Sequence, residues 1–186
     1  ADLILLHAGK PQNRGFTDAD RLQYEELVYT GVVRTPVMSL AECVPFNGDW
    51  QPLAAEYFAS TADVYRLTGD LDEASDMTDT ADGAAKTITD SARRLARMIG
   101  RDLSDAPPGA WIGLARGFKQ LQINRLKNAA MRNFSRNLSD PQPVIIGAGC
   151  GSFLAAELAK QLDCEYREAS SLIQADTPQM RRWASI

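Results

Sequence analysis

The sequence has few of the residues that build disulfide frameworks, metal centres or histidine-dependent catalytic sites. Its 186 residues include three cysteines, which are far apart, and a single histidine, His7. An odd and sparse cysteine count is typical of reduced thiols in a cytosol and argues against a disulfide framework. No CxxC or Cys/His spacing indicates a zinc site. Any Ser-His-Asp or Cys-His triad would have to use His7, and we do not favour one.

Long apolar runs are also missing. A membrane-spanning helix needs about 20 apolar residues, whereas the most apolar segment, residues 143–159, is interrupted by glycines and carries Glu157. The first residues, ADLILLHAG, are too short and begin too acidic for a signal peptide. We therefore predict a cytoplasmic protein that does not enter the membrane. The chain does not begin with Met, and we expect it to be a piece of a longer protein.

Charge is distributed unevenly along a chain whose net charge is -4. Acids dominate residues 42–90, and arginines and lysines dominate residues 93–136. A basic helical segment can bind nucleic acid, but no aromatic residues interleave the basic ones in a stacking pattern. We therefore predict no nucleic-acid partner. The basic residues are better explained as solvated helix faces that partly pair with the acidic half.

The order of predicted elements is typical of an α/β protein with helices over one sheet. The Asn47-Gly48 pair between apolar flanks predicts a hairpin, and residues 52–58 read as an apolar strand. A strand followed by a glycine turn and a helix occupies residues 143–162. The remaining patterns predict a strand at 2–7, a short strand at 164–169, and helices at 61–67, 88–99 and 109–138.

The glycine turn within VIIGAGCGSFLAAELA is a candidate anion site. Gly147, Gly149 and Gly151 follow a buried strand and precede a helix, so bare backbone N–H groups and a helix N-terminus meet there. The spacing is GxGxG, not the GxGxxG of dinucleotide-binding proteins. We favour a phosphate- or nucleotide-facing turn of another α/β type. A dinucleotide site and a tight crossover with glycines for packing remain the alternatives.

Two cations are candidate phosphate ligands. The segment DGAAKT resembles the end of a Walker A loop but lacks its first glycine and its preceding strand, so we reject a P-loop. Lys86 could hold a phosphate as a point charge before a helix, or could be solvated. Arg34, which with Thr35 precedes Pro36, offers a planar fork for phosphate or carboxylate; the alternative is an ion pair with the acidic half.

Asp63 is the central candidate of the sequence. Ser60 and Thr61 can cap a helix, and an acid in the first turn is favourable against the helix dipole. Because the predicted strand 52–58 would end at a cleft, where open α/β sheets bind ligands, we interpret Asp63 as functional. The acids Asp76, Asp79 and Asp82 do not match EF-hand spacing, and we interpret them as a solvated loop.

Three stretches together carry a family resemblance: ELVYTGVVRTPVMSL, EYFASTADVYRLTG and DGAAKTITDSARRLARMIGRD. They resemble hydantoinase/oxoprolinase-like proteins linked to tetrahydromethanopterin-dependent one-carbon transfer, in the actin-hexokinase-Hsp70 superfamily. The resemblance implies a ribonuclease-H-like half with a helical insertion at about 88–138. It also implies that residues 1–186 form one domain, the C-terminal lobe, without its N-terminal lobe. We expect such a chain to be inactive alone.

The resemblance further implies a function in methanofuran biosynthesis. The expected reaction joins a furanylmethyl diphosphate, a small-molecule substrate, to the phenol of a glutamyl-tyramine. Asp63 and Arg34 would be catalytic, and Asp63 and Asp2, the closing acid of a phosphate loop, would bind Mg²⁺. The expected phosphate or nucleotide ligands are Gly147, Gly149, Gly151, Lys86, Thr35 and Thr61.

Two other functional classes stay open. One is an ATP-using hydantoinase/oxoprolinase-type hydrolase or a sugar-kinase-like phosphotransferase, which bound nucleotide would favour. The other is a non-catalytic association domain, which gains weight if Asp63, Arg34 and the glycine turn do not face one cleft. A homodimer is the assembly that we keep open.

Overall fold

The computed structural model describes residues 1–136 and 143–172, which divide into two compact units. Unit 1 contains residues 1–29 and the described residues from 123 onward, and unit 2 contains residues 30–122. Each unit mixes helices and strands, in agreement with the predicted α/β class. Within the described ranges, none of the helices combines the length and apolar character that crossing a bilayer requires.

Unit 1 is organised around two small sheets. Strands β1 (Leu6–His7) and β2 (Lys10–Pro11) are antiparallel and are followed by helix α1 (Asp18–Gln23). Farther along the chain, β5 (Val144–Gly147), α5 (Ser152–Gln161) and β6 (Glu165–Glu168) form a βαβ unit in which the two strands are parallel. A short helix, α6 (Ala169–Leu172), follows β6. The predicted strand, glycine turn, helix and second strand are thereby confirmed.

Unit 2 contains a hairpin and three helices. Strands β3 (Cys43–Phe46) and β4 (Asp49–Pro52) pair across the Asn47-Gly48 turn, where both residues have positive φ, as a type I′ turn requires. The helices are α2 (Thr61–Thr68), α3 (Ile88–Met98) and α4 (Pro108–Phe134), the last of which continues into unit 1. Single 3₁₀ turns occur at Val37–Ser39, Glu73–Ser75 and Leu103–Asp105.

The core of unit 2 lies where α4 packs on the hairpin. The rings of Phe46 and Trp111 stack with centroids 5.2 Å apart, and the indole nitrogen of Trp111 donates to the carbonyl oxygens of Leu103 and Ala106. A Cβ built on Gly117 would lie 3.1 Å from Val44 Cγ2, so this glycine allows the helix to approach the strand closely. The predicted helix at 109–138 is confirmed up to residue 134. Residues 137–138 lie outside the described ranges.

Three predictions about strands are wrong. Residues 53–59 form no strand, because β4 ends at Pro52, and the cleft expected at the end of a 52–58 strand loses its basis. The first strand is shorter than residues 2–7: only Leu6–His7 form a ladder, and Asp2 contributes one isolated bridge to Leu27. The described strands form three separate two-stranded sheets instead of one.

Candidate functional site

Helix α2 begins with a capping box. The side chain of Ser60 accepts from the backbone N–H of Asp63, and the Asp63 carboxylate accepts from the backbone N–H of Ser60 at 3.1 Å. The N–H groups of Thr61 and Ala62 donate to the carbonyl oxygens of Thr35 and Val33. The predicted cap is thus confirmed. The first turn of α2 has no N–H group left for a phosphate, because its donors are already bonded.

The Asp63 carboxylate lies at the centre of a buried ion network. Asp63 is 3% exposed, and its Oδ1 accepts from Ser91 Oγ at 2.7 Å and from Arg94 Nε at 2.8 Å. A guanidinium nitrogen of Arg66 is 3.7 Å from the same oxygen. Both arginines are themselves buried. The network therefore joins α2 to α3, and burial of each charge is compensated by opposite charges and hydrogen bonds.

The network extends from the helices to the loop between α2 and α3. Arg66 donates to both oxygens of Glu73, at 2.9 and 2.8 Å, and to Asp76 Oδ2 at 2.6 Å. Lys86 Nζ lies 3.3 Å from Asp76 Oδ1 and donates to the Asp76 carbonyl oxygen at 2.7 Å. Arg94 also bonds Asp82 at 3.0 Å. The interpretation of Asp76 as solvated is wrong, because it is buried between two cations.

These contacts shift two loop carboxyl groups in the same direction. Burial alone would raise the pKa of Asp76, but the bonds from Arg66 and Lys86 outweigh it and hold the pKa below its usual value. For Asp82, burial also acts to raise the pKa, and the hydrogen bonds from the Ala84 backbone and from Arg94 outweigh it. Both carboxylates are therefore stabilised in their charged form.

The free energy of unfolding should fall in acid because of these two groups. A carboxyl group whose folded pKa is depressed contributes stability above its unfolded pKa, usually 3.8, and loses it as the pH falls through the folded value. We expect stability to decline below about pH 5, measured by urea unfolding at a series of pH values. The variant Asp76→Asn should show a shallower decline, and an identical slope would contradict this assignment.

Arg34, Thr35 and Thr61 lie around the start of α2. The backbone bond from Thr61 N to Thr35 O, at 2.9 Å, brings the two segments together. Arg34 is exposed and forms no ion pair with any residue in the described ranges, so the predicted alternative of a salt bridge is wrong there. Thr35 Oγ1 accepts from Gly31 N at 2.7 Å. Thr61 is fully buried, and its hydroxyl has no hydrogen-bond partner within the described parts.

The glycine turn lies in unit 1, at the carboxyl end of β5. A Cβ on Gly147 would lie 2.6 Å from the Tyr166 hydroxyl and 3.1 Å from the Ala155 Cβ. Gly149 has φ +75°, whereas Gly151 has φ -95°, which any residue can adopt. The space at Gly147 favours the packing explanation for that glycine. A phosphate-binding role for the three glycines stays a prediction.

Tyr166 is a residue at the turn that the sequence did not single out. Its hydroxyl donates to the Glu168 carboxylate and lies 3.4 Å from the Ser152 carbonyl oxygen. Burial and the neighbouring carboxylate raise the pKa of Tyr166 to about 12. The phenol therefore stays protonated at neutral pH and acts as a hydrogen-bond donor within the turn.

The two predicted metal ligands do not have the surroundings of a magnesium site. The Asp63 oxygens are bonded to arginine, serine and backbone donors, and Asp2 is ion-paired with Arg21 on the surface. Among the residues described, no group of three or more His, Cys, Asp or Glu side chains could hold a metal ion. Magnesium prefers oxygen ligands and several waters, whereas both aspartates are occupied by protein donors.

The predicted site residues thus fall into separate groups. In unit 2, Asp63 and Lys86 belong to the ion network, and Arg34 and Thr35 lie beside the start of α2 with Thr61. Asp2 and the three glycines belong to unit 1. Their convergence on one pocket stays a prediction.

Sequence reasoning missed Arg66 and Arg94 as the partners of Asp63. The basic residues of 93–136, which include Arg94, are predicted to be solvated, but Arg94 is buried with Ser91 and Leu95 on α3. The available signal was the polar residues on an otherwise apolar helix face.

Taken together, the chain is an α/β protein of two units, one with a parallel βαβ unit and a glycine turn, the other with helices joined by buried arginine–carboxylate pairs. Comparison with protein families gives a match to the model described as Hydantoinase/oxoprolinase over residues 1–172. The chain therefore belongs to the hydantoinase/oxoprolinase family, as the three sequence stretches predict.

Two curated relatives carry the same name, (4-{4-[2-(gamma-L-glutamylamino)ethyl]phenoxymethyl}furan-2-yl)methanamine synthase. The protein from Methanocaldococcus jannaschii is 42% identical over 86 residues, which is 46% of this chain and 26% of the relative. The protein from Methanococcus vannielii is 28% identical over 123 residues, 66% of this chain and 55% of the relative. The matches thus span about a quarter and about half of these relatives.

Proposed function

We propose that this chain is part of a transferase of methanofuran biosynthesis that forms a furanylmethyl phenyl ether. The observation that carries the proposal is the 42% identity over 86 residues to a synthase whose name describes a phenoxymethyl-furan product. The similarity of the M. vannielii synthase over 66% of the chain supports the same function. We further propose that the chain corresponds to the ribonuclease-H-like C-terminal lobe of such an enzyme.

The proposed reaction transfers a furanylmethyl group from diphosphate to a phenol. The phenol oxygen attacks the methylene carbon, the bond from that carbon to the diphosphate oxygen breaks, and the phenol proton passes to a base or to water. Negative charge develops on the departing diphosphate, so the enzyme needs cations and oriented donors at that position. A cation that forms no ion pair within the protein can take this position without breaking an existing contact.

We propose Arg34, which lies beside the start of α2, for that task. Its guanidinium is exposed and makes no ion pair with any other described residue, and its planar fork matches phosphate oxygens. Lys86 is partly exposed, but it is held by Asp76. We therefore propose Arg34 as the primary diphosphate ligand and Lys86 as a secondary one. The glycine turn and Thr35 remain proposed ligands of the same chemical class.

Asp63 has a different position in this proposal. A buried carboxylate bonded to Arg94 and Ser91 has no free oxygen position facing solvent through which to orient a phenol. We propose that Asp63 supports the site by fixing α2 and α3 relative to each other. A direct role, in which Asp63 orients the phenol, is the competing hypothesis, and the Asp63→Asn variant separates the two.

The test uses the polypeptide as its gene encodes it. Furanylmethyl diphosphate and glutamyl-tyramine are supplied together, and released diphosphate and ether product are quantified. Arg34→Ala should lower kcat/KM by about tenfold to a hundredfold, since a bond to a charged group contributes about 1.5–3 kcal/mol. Arg97→Ala is the matched control, because Arg97 is also an exposed arginine of unit 2. Equal activity of the two variants would contradict the role of Arg34.

The family description favours a second candidate, ATP-dependent hydrolysis of a hydantoin- or oxoproline-type ring. The same preparations are therefore incubated with ATP and such a ring substrate, and phosphate release is measured. Substrate-dependent ATP hydrolysis without ether formation would support this candidate and reject the transferase. Absence of both reactions in the polypeptide as its gene encodes it would leave the association domain as the better explanation.

A further inference from the structure

The loop of residues 72–85 is attached to unit 2 almost entirely by charged contacts. Asp76 is the one buried residue of this segment, and every apolar side chain in it is half-buried or exposed. Met77, next to Asp76, is 89% exposed. Hydrophobic burial, which holds most surface segments in place, is therefore replaced here by ion pairs. We name residues 72–85 the latch loop.

The acids of the latch loop occupy positions that suit phosphate oxygens. Glu73 accepts two parallel bonds from Arg66, and its side chain is 57% exposed. Asp76 accepts from the same guanidinium at 2.6 Å, and Asp82 accepts from Arg94 at 3.0 Å. Arginine binds carboxylate and phosphate through the same fork geometry. The oxygens of a bound phosphate could therefore accept the same hydrogen bonds as the loop carboxylates.

Without the latch loop, the side chains that it contacts carry a net positive charge. Arg66 and Arg94 are two cations on the helices, and Asp63 of α2 is a carboxylate that contacts both, which leaves one positive charge there. Lys86, which directly follows the loop and contacts Asp76, adds a second positive charge. The hydroxyl of Ser91 lies 3.1 Å from a nitrogen of each arginine. With the loop displaced, the two guanidinium groups keep Asp63 and the Ser91 hydroxyl oxygen as partners and lose three carboxylates.

We propose that the latch loop and a diphosphate-bearing ligand compete for the cation cluster formed by Arg66, Arg94 and Lys86. The ligand binds when Glu73, Asp76 and Asp82 leave these cations. The choice of diphosphate as the ligand rests on the proposed function. That the cation cluster binds an anion is inferred from the geometry of the arginines alone. A ligand that binds only the open loop has an apparent affinity reduced by the fraction of molecules that are open. Weakening the latch should therefore tighten binding.

The experiment measures inorganic diphosphate binding to the chain of residues 1–186 by calorimetry, with orthophosphate as a second probe. Asp76→Asn should tighten diphosphate binding about tenfold or more, because it removes a charge-assisted bond worth about that factor. Asp79→Asn is the matched control: it is the same substitution in the same loop, at an exposed acid that forms no hydrogen bond or ion pair with the other described residues. It should leave the affinity unchanged within about twofold.

Two further variants test the same competition if Asp76→Asn fails to fold. Glu73→Gln alters a half-exposed partner of Arg66 and should also tighten binding. Arg66→Lys, which loses the fork, should weaken binding about tenfold. Amide hydrogen exchange of residues 72–85 should become faster when diphosphate is added, because the loop is displaced. Preference for diphosphate over orthophosphate would show that both arginines take part.

Equal affinity of Glu73→Gln, Asp79→Asn and the natural sequence would overturn the latch, as would slower amide exchange of the loop on diphosphate binding. Diphosphate binding with these dependences, but no ether synthesis by the polypeptide as its gene encodes it, would reject the proposed transferase and keep the latch. Ether synthesis without these effects of the loop variants on diphosphate binding would reject the latch alone.

Discussion

Replacing Asp63 by asparagine should lower the free energy of unfolding by about 3 kcal/mol or more. The substitution removes the buried carboxylate from Arg94, whose side chain is 0% exposed and which keeps Asp82 as its other carboxylate partner. It also weakens the capping box of α2 and the bond from Ser91. Removal of one partner from a buried ion pair is costly because the other charge stays buried and uncompensated. The measurement is urea unfolding followed by circular dichroism.

Asp79→Asn is the control for this variant as well, since it makes the same change in charge at an exposed position. Its unfolding free energy should stay within about 0.5 kcal/mol of the natural sequence. If Asp63→Asn instead unfolds at the same urea concentration as the natural sequence while turnover is abolished, Asp63 acts directly in catalysis. That result would restore the interpretation drawn from the sequence and reject the supporting role.

Replacing Gly147 by alanine should destabilise unit 1 by about 1–3 kcal/mol, the usual cost of overpacking a tight contact. The new Cβ would lie 2.6 Å from the Tyr166 hydroxyl and 3.1 Å from Ala155 Cβ, and the hydroxyl is held by Glu168 and Ser152. Either the strand or the tyrosine must move. Adding Tyr166→Phe should recover part of the loss, because it removes the closest of these atoms.

Gly113→Ala is the matched glycine substitution. Gly113 lies exposed within α4, and a Cβ there would meet no atom within 4 Å. Alanine should stabilise the helix by about 0.5–1 kcal/mol, so the same chemical change is expected to have opposite signs at the two sites. If Gly147→Ala keeps full stability but weakens phosphate or nucleotide binding, the glycine serves a ligand and not the packing of Tyr166.

The local elements could be predicted from the sequence because their signals are local. Asn47-Gly48 determines the hairpin through positive φ, Thr87 caps α3, and Gly69 ends α2 in the left-handed conformation. The helix at 109–138 was recognised from its apolar periodicity. The family resemblance followed from short motifs in the same way, and it is confirmed by the family match over residues 1–172.

The strand at 52–58 shows where local reasoning failed. Its apolar composition fits a buried strand, but Leu53 and Ala54 instead donate to the backbone oxygens of Glu42 and Met98. Within the described part of the chain, the β3–β4 ladder ends at Pro52. A strand requires a neighbour, and the neighbour is supplied by tertiary structure.

By itself the sequence determined the helices, the hairpin, the capping role of Ser60 with Asp63, and the family. Only the tertiary structure decided that Asp63 pairs with Arg94, and that Asp76 is buried. Asp63 and Arg94 are separated by 31 residues, and no periodicity links them. Propensity and periodicity act between neighbours along the chain, whereas the ionic partner of a buried charge is selected by the packing of helices.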